Sequence, residues 1–476
     1  MVAIVTDDLK FNVLEALLAD YNAANSKYYI GLARSEQWDS NDAVKSPINS
    51  KFDETDFKER LQSVKKVEAA SFVVPRQDWA YGTIYPQWDD LRSGNLSNGR
   101  RYYVLTDNYG VYICLRTGKN KQGVAQPSLV KPASSNLEPF RTGDGYIWKF
   151  LYTLSALKAN YFLTSQFMPV HRQETTDSNS TGIELKQFAV QGAAVGGRIT
   201  TFVMKHGGNG SYGKGTGSAA NAIPSIVVRG DGELTFGDSA VLRLRATIDS
   251  AAGTVTSITT NGLNNTLNYL DSYNFAEAVI VKSGVSGDAG DSALARPVVG
   301  PKPGFGFDPR RDLKSDALMF RSKILDTDTD FITDQDFRQI ALIKNPQVHD
   351  SLGLFNEITG IGMRNMKLSS YTVAFSKDKT VQGVTSNARA FIDNVDSTVA
   401  DGTRIFYHQS VETGYKQLVD GEALTEIDGT GTGTVLTASN PGEINRISGD
   451  ILYLDNRNAV VRSANQSEDI KVIIQL

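Results

Sequence analysis

Polar and apolar positions alternate most regularly over residues 143–154, GDGYIWKFLYTL. Gly143-Asp144-Gly145 is a turn signal, because glycine supplies positive φ and Asp hydrogen-bonds nearby backbone. Beyond it, Tyr146, Trp148, Phe150, Tyr152 and Leu154 fall on one face of a strand, and Ile147, Lys149, Leu151 and Thr153 on the other. A helix would scatter these aromatics around its axis; a strand puts four in one row, each able to bury about 150–250 Å². The pattern predicts a half-buried core strand anchored by Trp148 and Phe150, holding no nucleophile, base or ligand pair.

Other periodicities place the neighbouring elements. Val13, Leu14, Leu17, Leu18 and Tyr21 recur at helical spacing, with Thr6 or Asp7 as N-cap. Residues 27–34, KYYIGLAR, read as a strand. A second helix is predicted with Phe57, Leu61 and Val64 on one side and acids at its start, as the helix dipole favours. Residues 71–75 form a strand stopped by Pro75, and 102–106 with 110–116 a hairpin around Asp107-Asn108-Tyr109-Gly110. Residues 318–325 and 337–344 are strands again, and 449–454 and 469–476 end the chain as two more. In the last of these Ile470, Val472, Ile474 and Leu476 share a face, which predicts a buried strand closing the fold. Tyr453 and Ile474 are therefore candidate core residues.

Between these stretches the character of the chain changes. Over 190–300 Gly, Thr, Ser and Ala dominate and tryptophan vanishes. A weak repeat runs through it: the segment opening at Gly197 is echoed at Gly253, Gly207 at Gly262, and the strand ending at Gly230 by one ending at Gly284. Residues 297–309 are a Pro/Gly hinge, and 371–443 are again rich in Gly and Asp. The expected fold is mainly β with a few helices (α+β). A layered β-sandwich core formed by 1–186, 301–370 and 444–476 carries two inserted glycine-rich β modules, 187–300 and 371–443.

Composition narrows the function. Among 476 residues, charged positions are 21% and net charge is −4. That argues against a general phosphate-binding surface and hence against nucleic acid as a partner. Cys114 is the single cysteine, so no intrachain disulfide forms, and VYICL marks it as a small buried hydrophobe. No run approaches the roughly 18 apolar residues of a membrane helix, and the N-terminus lacks the pattern of a signal peptide. A soluble protein made in a cytoplasm is expected.

The motifs that suggest chemistry fail on inspection. Gly208 to Gly213 matches G-x-G-x-x-G, but no helical periodicity follows, and Gly215 stands where a P-loop needs Ser or Thr after Lys214. Asp326, Asp328 and Asp330 resemble a calcium loop, yet Phe331 and Phe337 occupy the required Gly and Glu positions. Histidines 171, 206, 349 and 408 do not pair at metal spacing. No catalytic, cofactor-binding or metal-ligating residue is assigned. Arg34 and Arg76, each a few residues before Trp38 and Trp79, are placed to meet carboxylates or stack on rings.

Five segments remain: Arg34-Ser35-Glu36-Gln37-Trp38; Pro75-Arg76-Gln77-Asp78-Trp79 with Tyr85-Pro86; residues 143–148, GDGYIW; Phe337-Arg338-Gln339-Ile340 with Asn345-Pro346; and residues 448–457, SGDILYLDNR, with 466–470, QSEDI. In that order they resemble the baseplate wedge subunit of T-even-type contractile-tailed bacteriophages, the product of gene eight. The likeness covers residues 1–180, 310–350 and 445–476 and leaves the two glycine-rich blocks outside. It implies a non-enzymatic structural subunit of the virion's tail baseplate. It also implies a homodimer contacting the wedge proteins of genes six, seven and ten, assembled in the host cytoplasm. The alternative reading is a receptor- or glycan-binding tail component that uses the glycine-rich modules as binding heads. A baseplate-attached hydrolase would need an acid pair in a cleft.

Overall fold

The computed structural model describes residues 4–39, 41–91, 101–208, 212, 224–232, 244–249, 251–260, 270–282, 292–397 and 403–476. The chain is mainly β, with five helices and several sheets among the described residues. None of those helices is long and apolar enough to cross a membrane. Two compact units form: Met1–Phe11, Ser71–Ala317 and Leu476 make the first, and Asn12–Ala70 with Leu318–Gln475 the second.

In the first unit, the strand Ile147–Thr153 lies between Gly110–Arg116 and the short strand Phe140–Arg141, with Tyr103–Leu105 beyond Gly110–Arg116. It is buried on both faces, not one. Trp148 and Phe150 pack with Tyr85, Tyr112, Cys114 and Tyr146 on one side. Ile147 and Leu151 pack with Val111, Ile113 and Leu313 on the other. A register shift opposite Phe150 and Tyr152 leaves Leu151 without a partner. Such a bulge turns the following residue over. Tyr152 therefore joins Leu151's cluster instead of Trp148's. The turn before the strand is anchored at Asp144, whose Oδ2 accepts the N–H groups of Leu129 at 2.8 Å and Val130 at 3.0 Å. Gly145 takes the left-handed φ of 88° that the turn requires.

The glycine-rich stretch of this unit builds a four-stranded sheet in the order Pro224–Gly230, Ala276–Lys282, Leu294–Val299, Ile199–His206, with a separate hairpin of Leu244–Asp249 and Thr254–Thr260. Ile199, Phe202, Tyr212, Val255, Ile258 and Tyr273 share one apolar cluster there. The echoed segments do not occupy matching places throughout: Ile199–His206 is an edge of the four-stranded sheet, whereas Thr254–Thr260 belongs to the separate hairpin. Gly197 and Gly253, which open the first pair, have positive φ of 64° and 69°. The strands of the second pair lie side by side, Val227 opposite Val279. Gly262 and Gly284 fall outside the described residues.

The second unit has a five-stranded sheet in the order Thr359–Ile361, Leu61–Lys66, Tyr28–Ala33, Gln335–Lys344, Asp450–Arg462. Its core includes Tyr29, Phe57, Leu61, Val64, Ala341 and Ile343. The predicted second helix is shorter than its periodicity suggested. It spans Lys51–Glu59, with Ser50 as N-cap, and ends at Arg60. Leu61 and Val64 belong instead to the following strand, paired to Tyr28–Ala33. The first helix runs Asp7–Asn22, and Thr6 Oγ1 accepts the Leu9 N–H at 3.3 Å. Residues 364–440 of this unit contain a closed six-stranded barrel in the order Arg364–Val373, Arg404–His408, Arg389–Asp396, Thr380–Gly383, Ala423–Glu426, Thr432–Asn440. Met366, Leu368, Val381, Ile392, Ile405 and Val435 fill its centre.

The last strand, Glu468–Gln475, is less buried than its alternation predicted. Only Val472 is buried; Ile470 and Ile474 are half-buried and Leu476 is 43% exposed. Glu468–Gln475 is an edge strand, with one hydrogen-bonded neighbour, and an edge leaves part of each face open to water.

Candidate functional site

The densest chemistry lies in the second unit, where the segment after Tyr28–Ala33 meets the barrel. Arg34 leaves the strand with a left-handed φ of 63° and turns the chain away from the sheet. This brings the Ser35 hydroxyl to Asp393 Oδ1, to which it donates at 2.6 Å. Asp393 sits at a register shift in the pairing of Arg389–Asp396 with Arg404–His408. Its neighbours Ala390 and Ile392 point into the barrel core. Asp393 instead meets His408, whose Nδ1 lies 2.9 Å from Asp393 Oδ1. His408 Nε2 faces Glu36 Oε1 at 3.4 Å, an ion-pair contact with no hydrogen bond at that nitrogen. His408 and Asp393 are each only 2% exposed.

Cations and anions alternate outward from this centre. Arg60 bridges Glu36 at 2.6 Å, Glu412 at 2.8 Å and Asp56. Arg34 contacts Asp56 at 3.2 Å and lies 4.3 Å over the Trp38 ring. Trp38 Nε1 donates to Arg457 O at 3.0 Å, and Arg338 holds both Asp42 and the Ser35 carbonyl. Arg34, Glu36, Trp38, Arg60, Arg338 and Phe391 line a cleft of about 530 Å³ over the network.

Electrostatics fix the protonation states. Burial alone would lower the His408 pKa, but the charge and hydrogen bond of Asp393, with Glu36 behind them, lift it to about 9. Burial would raise the Glu36 carboxyl, and the facing His408 and Arg60 pull it down to about 2. His408 is therefore a cation at neutral pH, held between two carboxylates. Serine, histidine and aspartate stand together here without forming a hydrolytic triad. In a triad the imidazole faces the hydroxyl and takes its proton. Here the hydroxyl donates to the carboxylate, both imidazole nitrogens face carboxylates, and Ser35 is 3% exposed. The arrangement is an ionic clamp.

The first unit holds a second perturbed pair. Lys149, on the strand read as free of acid–base groups, is 2% exposed and donates to Leu137 O. Burial lowers its ammonium pKa to about 8. Burial raises the Asp312 carboxyl to about 8, against an N–H bond from Gly306 at 2.7 Å. Gly306 packs so closely that a Cβ there would lie 3.2 Å from Lys149 Cε.

The residues singled out by sequence divide between the two units. Arg34 and Trp38 belong to the clamp. Tyr453, half-buried, is opposite Leu342 in the five-stranded sheet, and Ile474 lies on the edge strand. In the first unit Arg76 pairs with Asp78 at 2.9 Å. Trp79 Nε1 donates to Ser128 Oγ at 3.2 Å, and Ser128 in turn donates to Asp144. Trp148 stacks on Tyr146 with centroids 5.6 Å apart, and Phe150 meets Tyr112 edge-on. Asp328 accepts Lys65 at 2.7 Å and Asp330 accepts Thr359, so both carboxylates have structural partners. Among the described residues no group of His, Cys, Asp and Glu is arranged to hold a metal ion. Lys214 and most of the glycine motif before it lie outside the described residues. The sequence reading missed His408 and Asp393. The one local signal is a charged residue directly after an apolar one, Asp393 after Ile392 and His408 after Tyr407.

No family model and no curated protein matches this chain.

Proposed function

We propose that this chain is a structural subunit of a contractile phage tail baseplate wedge, acting through protein–protein contacts and without catalytic turnover. One observation carries the reading: the segments that resemble the wedge subunit, scattered along the sequence, converge in space. Three of them meet in the second unit. The Arg34–Trp38 segment touches the Phe337–Ile340 segment through Arg338 and Ser35 O, and the 448–457 segment through Trp38 and Arg457 O. Gln339 bonds Asn456 at 3.0 Å across the same sheet. The other two meet in the first unit, where Trp79 and Trp148 share one cluster and Ser128 links Trp79 to Asp144. Residues that support one another in this way define a fold, and the richest polar cluster is a clamp without a nucleophile.

In this reading the protein is a homodimer in the virion's baseplate, built in the host cytoplasm and docked on neighbouring wedge subunits of the kinds encoded by genes six, seven and ten. Sedimentation equilibrium of the purified chain, with reductant and chelator present, is expected to give a dimer. Cryo-electron microscopy of tails containing it is expected to place it in the baseplate. A monomer at micromolar concentration, or density for it elsewhere in the particle, would refute the proposal.

A further inference from the structure

A second cleft in the second unit, about 480 Å³, is lined by the turn after Gln347–Val348, by Gly362 and Arg364, and by residues 441–447. The paired short strands Gln347–Val348 and Ile444–Asn445 fix its walls. Arg364 opens the first barrel strand and Arg446 follows Ile444–Asn445, so the two guanidinium groups reach the cleft from rigid elements. Both side chains are partly buried. Among the described residues, neither has a carboxylate at ion-pair distance. Arg446 uses one donor on Glu59 O at 2.9 Å, and among the described residues the Arg364 guanidinium has no protein hydrogen-bond partner. Of the nearby acids, Asp350 lines the rim of the same cleft and turns to His349 at 3.1 Å, Glu443 accepts the Ile361 N–H, and Glu59 accepts Tyr415. Burial, and then the charge of Arg364, work against the Arg446 cation, only partly offset by Glu59, Tyr407 and Asp393. Partly buried guanidinium groups that repel each other and lack an acid have the planar donor forks that carboxylate and phosphate match.

We propose that this cleft is an oxyanion-binding site, in which Arg364 and Arg446 together grip one carboxylate or phosphate group. The proposal stands apart from the baseplate reading, because it rests on the cleft alone. The oxyanion has two possible sources, a free phosphate or a carboxylate carried by a protein partner, and they are separable by probe. The full chain is titrated calorimetrically with inorganic phosphate and, separately, with succinate, at an ionic strength held constant with sodium chloride so that general screening does not vary. One saturable site per chain is expected for at least one probe. Arg364→Gln should weaken it about tenfold or more, as for loss of charge-assisted hydrogen bonds. Arg364→Lys, which keeps the charge and loses the fork, should fall between. Saturation by phosphate alone assigns a phosphate ligand, by succinate alone a carboxylate, and by both the shared chemistry. If Arg364→Gln fails to melt cooperatively, Arg364→Lys decides: weakened binding supports the site and wild-type affinity overturns it. Absence of saturable heat with both probes, or unchanged affinity in Arg364→Gln, also overturns it.

Discussion

Removing the cation at the centre of the clamp is the most direct test of how the second unit is held together. His408 has a folded pKa of about 9 against an ordinary 6.5. Below pH 6.5 the imidazole is protonated in both folded and unfolded chains, and its contribution to stability is complete. Between 6.5 and 9 the folded chain keeps a proton that the unfolded chain has released. Stability then falls with rising pH, by at most about 1.4 kcal/mol per unit, or roughly 3 kcal/mol in all. Glu36 acts at the other end. Its pKa of about 2, against 4.5, gives stability that is present above pH 4.5 and lost as pH falls toward 2. The two groups titrate as a coupled pair, so their contributions do not simply add.

His408→Gln keeps the approximate shape and removes the charge, leaving Asp393 and Glu36 facing a neutral side chain. Breaking a buried pair this way costs roughly 3–5 kcal/mol. Urea unfolding of wild type and variant from pH 5 to 9.5 isolates the effect of the clamp, since titrating groups away from it cancel in the difference. The gap should be widest near pH 6 and shrink by about 3 kcal/mol by pH 9.5. With only four histidines in the chain, the His408 imidazole is also separable by NMR, and it should stay protonated through pH 8. A resonance titrating near 6.5, or a stability gap independent of pH, would falsify the clamp.

Two further outcomes follow from burial. Val472→Asp should destabilise the second unit by at least about 2 kcal/mol, by burying an unpaired carboxylate, whereas Leu476→Asp should lie within about 0.5 kcal/mol of wild type in thermal melts; equal effects would mean that the edge strand is not oriented as described. Asp312 holds a proton in the folded chain up to about pH 8 against an ordinary 3.8, so its burial costs stability increasingly as pH rises through that range. Asp312→Asn keeps an acceptor for the Gly306 N–H and should leave the protein more stable than wild type at pH 8 and no more stable at pH 4, measured by chemical denaturation; a variant less stable at both values would contradict this.

How far the fold was legible depends on whether the deciding contacts are local. Trp148 and Phe150 declared a strand because bulky side chains at every second position cannot share a helix face. Only its second buried face escaped, since that depends on Leu313 and other distant neighbours. Phe57, Leu61 and Val64 sit four and three residues apart and imitate a helix stripe. The helix ends sooner because Leu61–Lys66 pairs with Tyr28–Ala33, and Arg60 at the junction is held by Glu36, Asp56 and Glu412, one of them more than 350 residues away in sequence. The C-terminal strand was found from its alternation, but alternation cannot say how many neighbours a strand has. His408 and Asp393 were unreadable for a sharper reason. A register shift decides which way Asp393 points, and Glu36 comes from the opposite end of the chain. Arg34 and Trp38 were visible as a motif, although their carboxylate and carbonyl partners were not.

The two arginine clusters of the second unit explain each other. In the clamp Arg34, Arg60 and Arg338 each meet a carboxylate, and Arg60 alone meets three. A charge taken out of water is tolerated when it is paired, and such a network is satisfied in one arrangement only. It therefore fixes where the barrel sits against the segment that leaves the sheet at Arg34, more sharply than apolar contacts, which tolerate sliding. Arg364 and Arg446 carry the same side chains under partial burial in the same unit, yet face a cleft with no acid assigned to them. The fold pairs the clamp's guanidinium groups with its own acids and leaves this pair open where water, and an incoming oxyanion, can reach it. The difference between the clusters is whether the counter-charge comes from within the chain. In the clamp it does, and the result is rigidity; in the cleft it comes from a ligand, and the result is recognition.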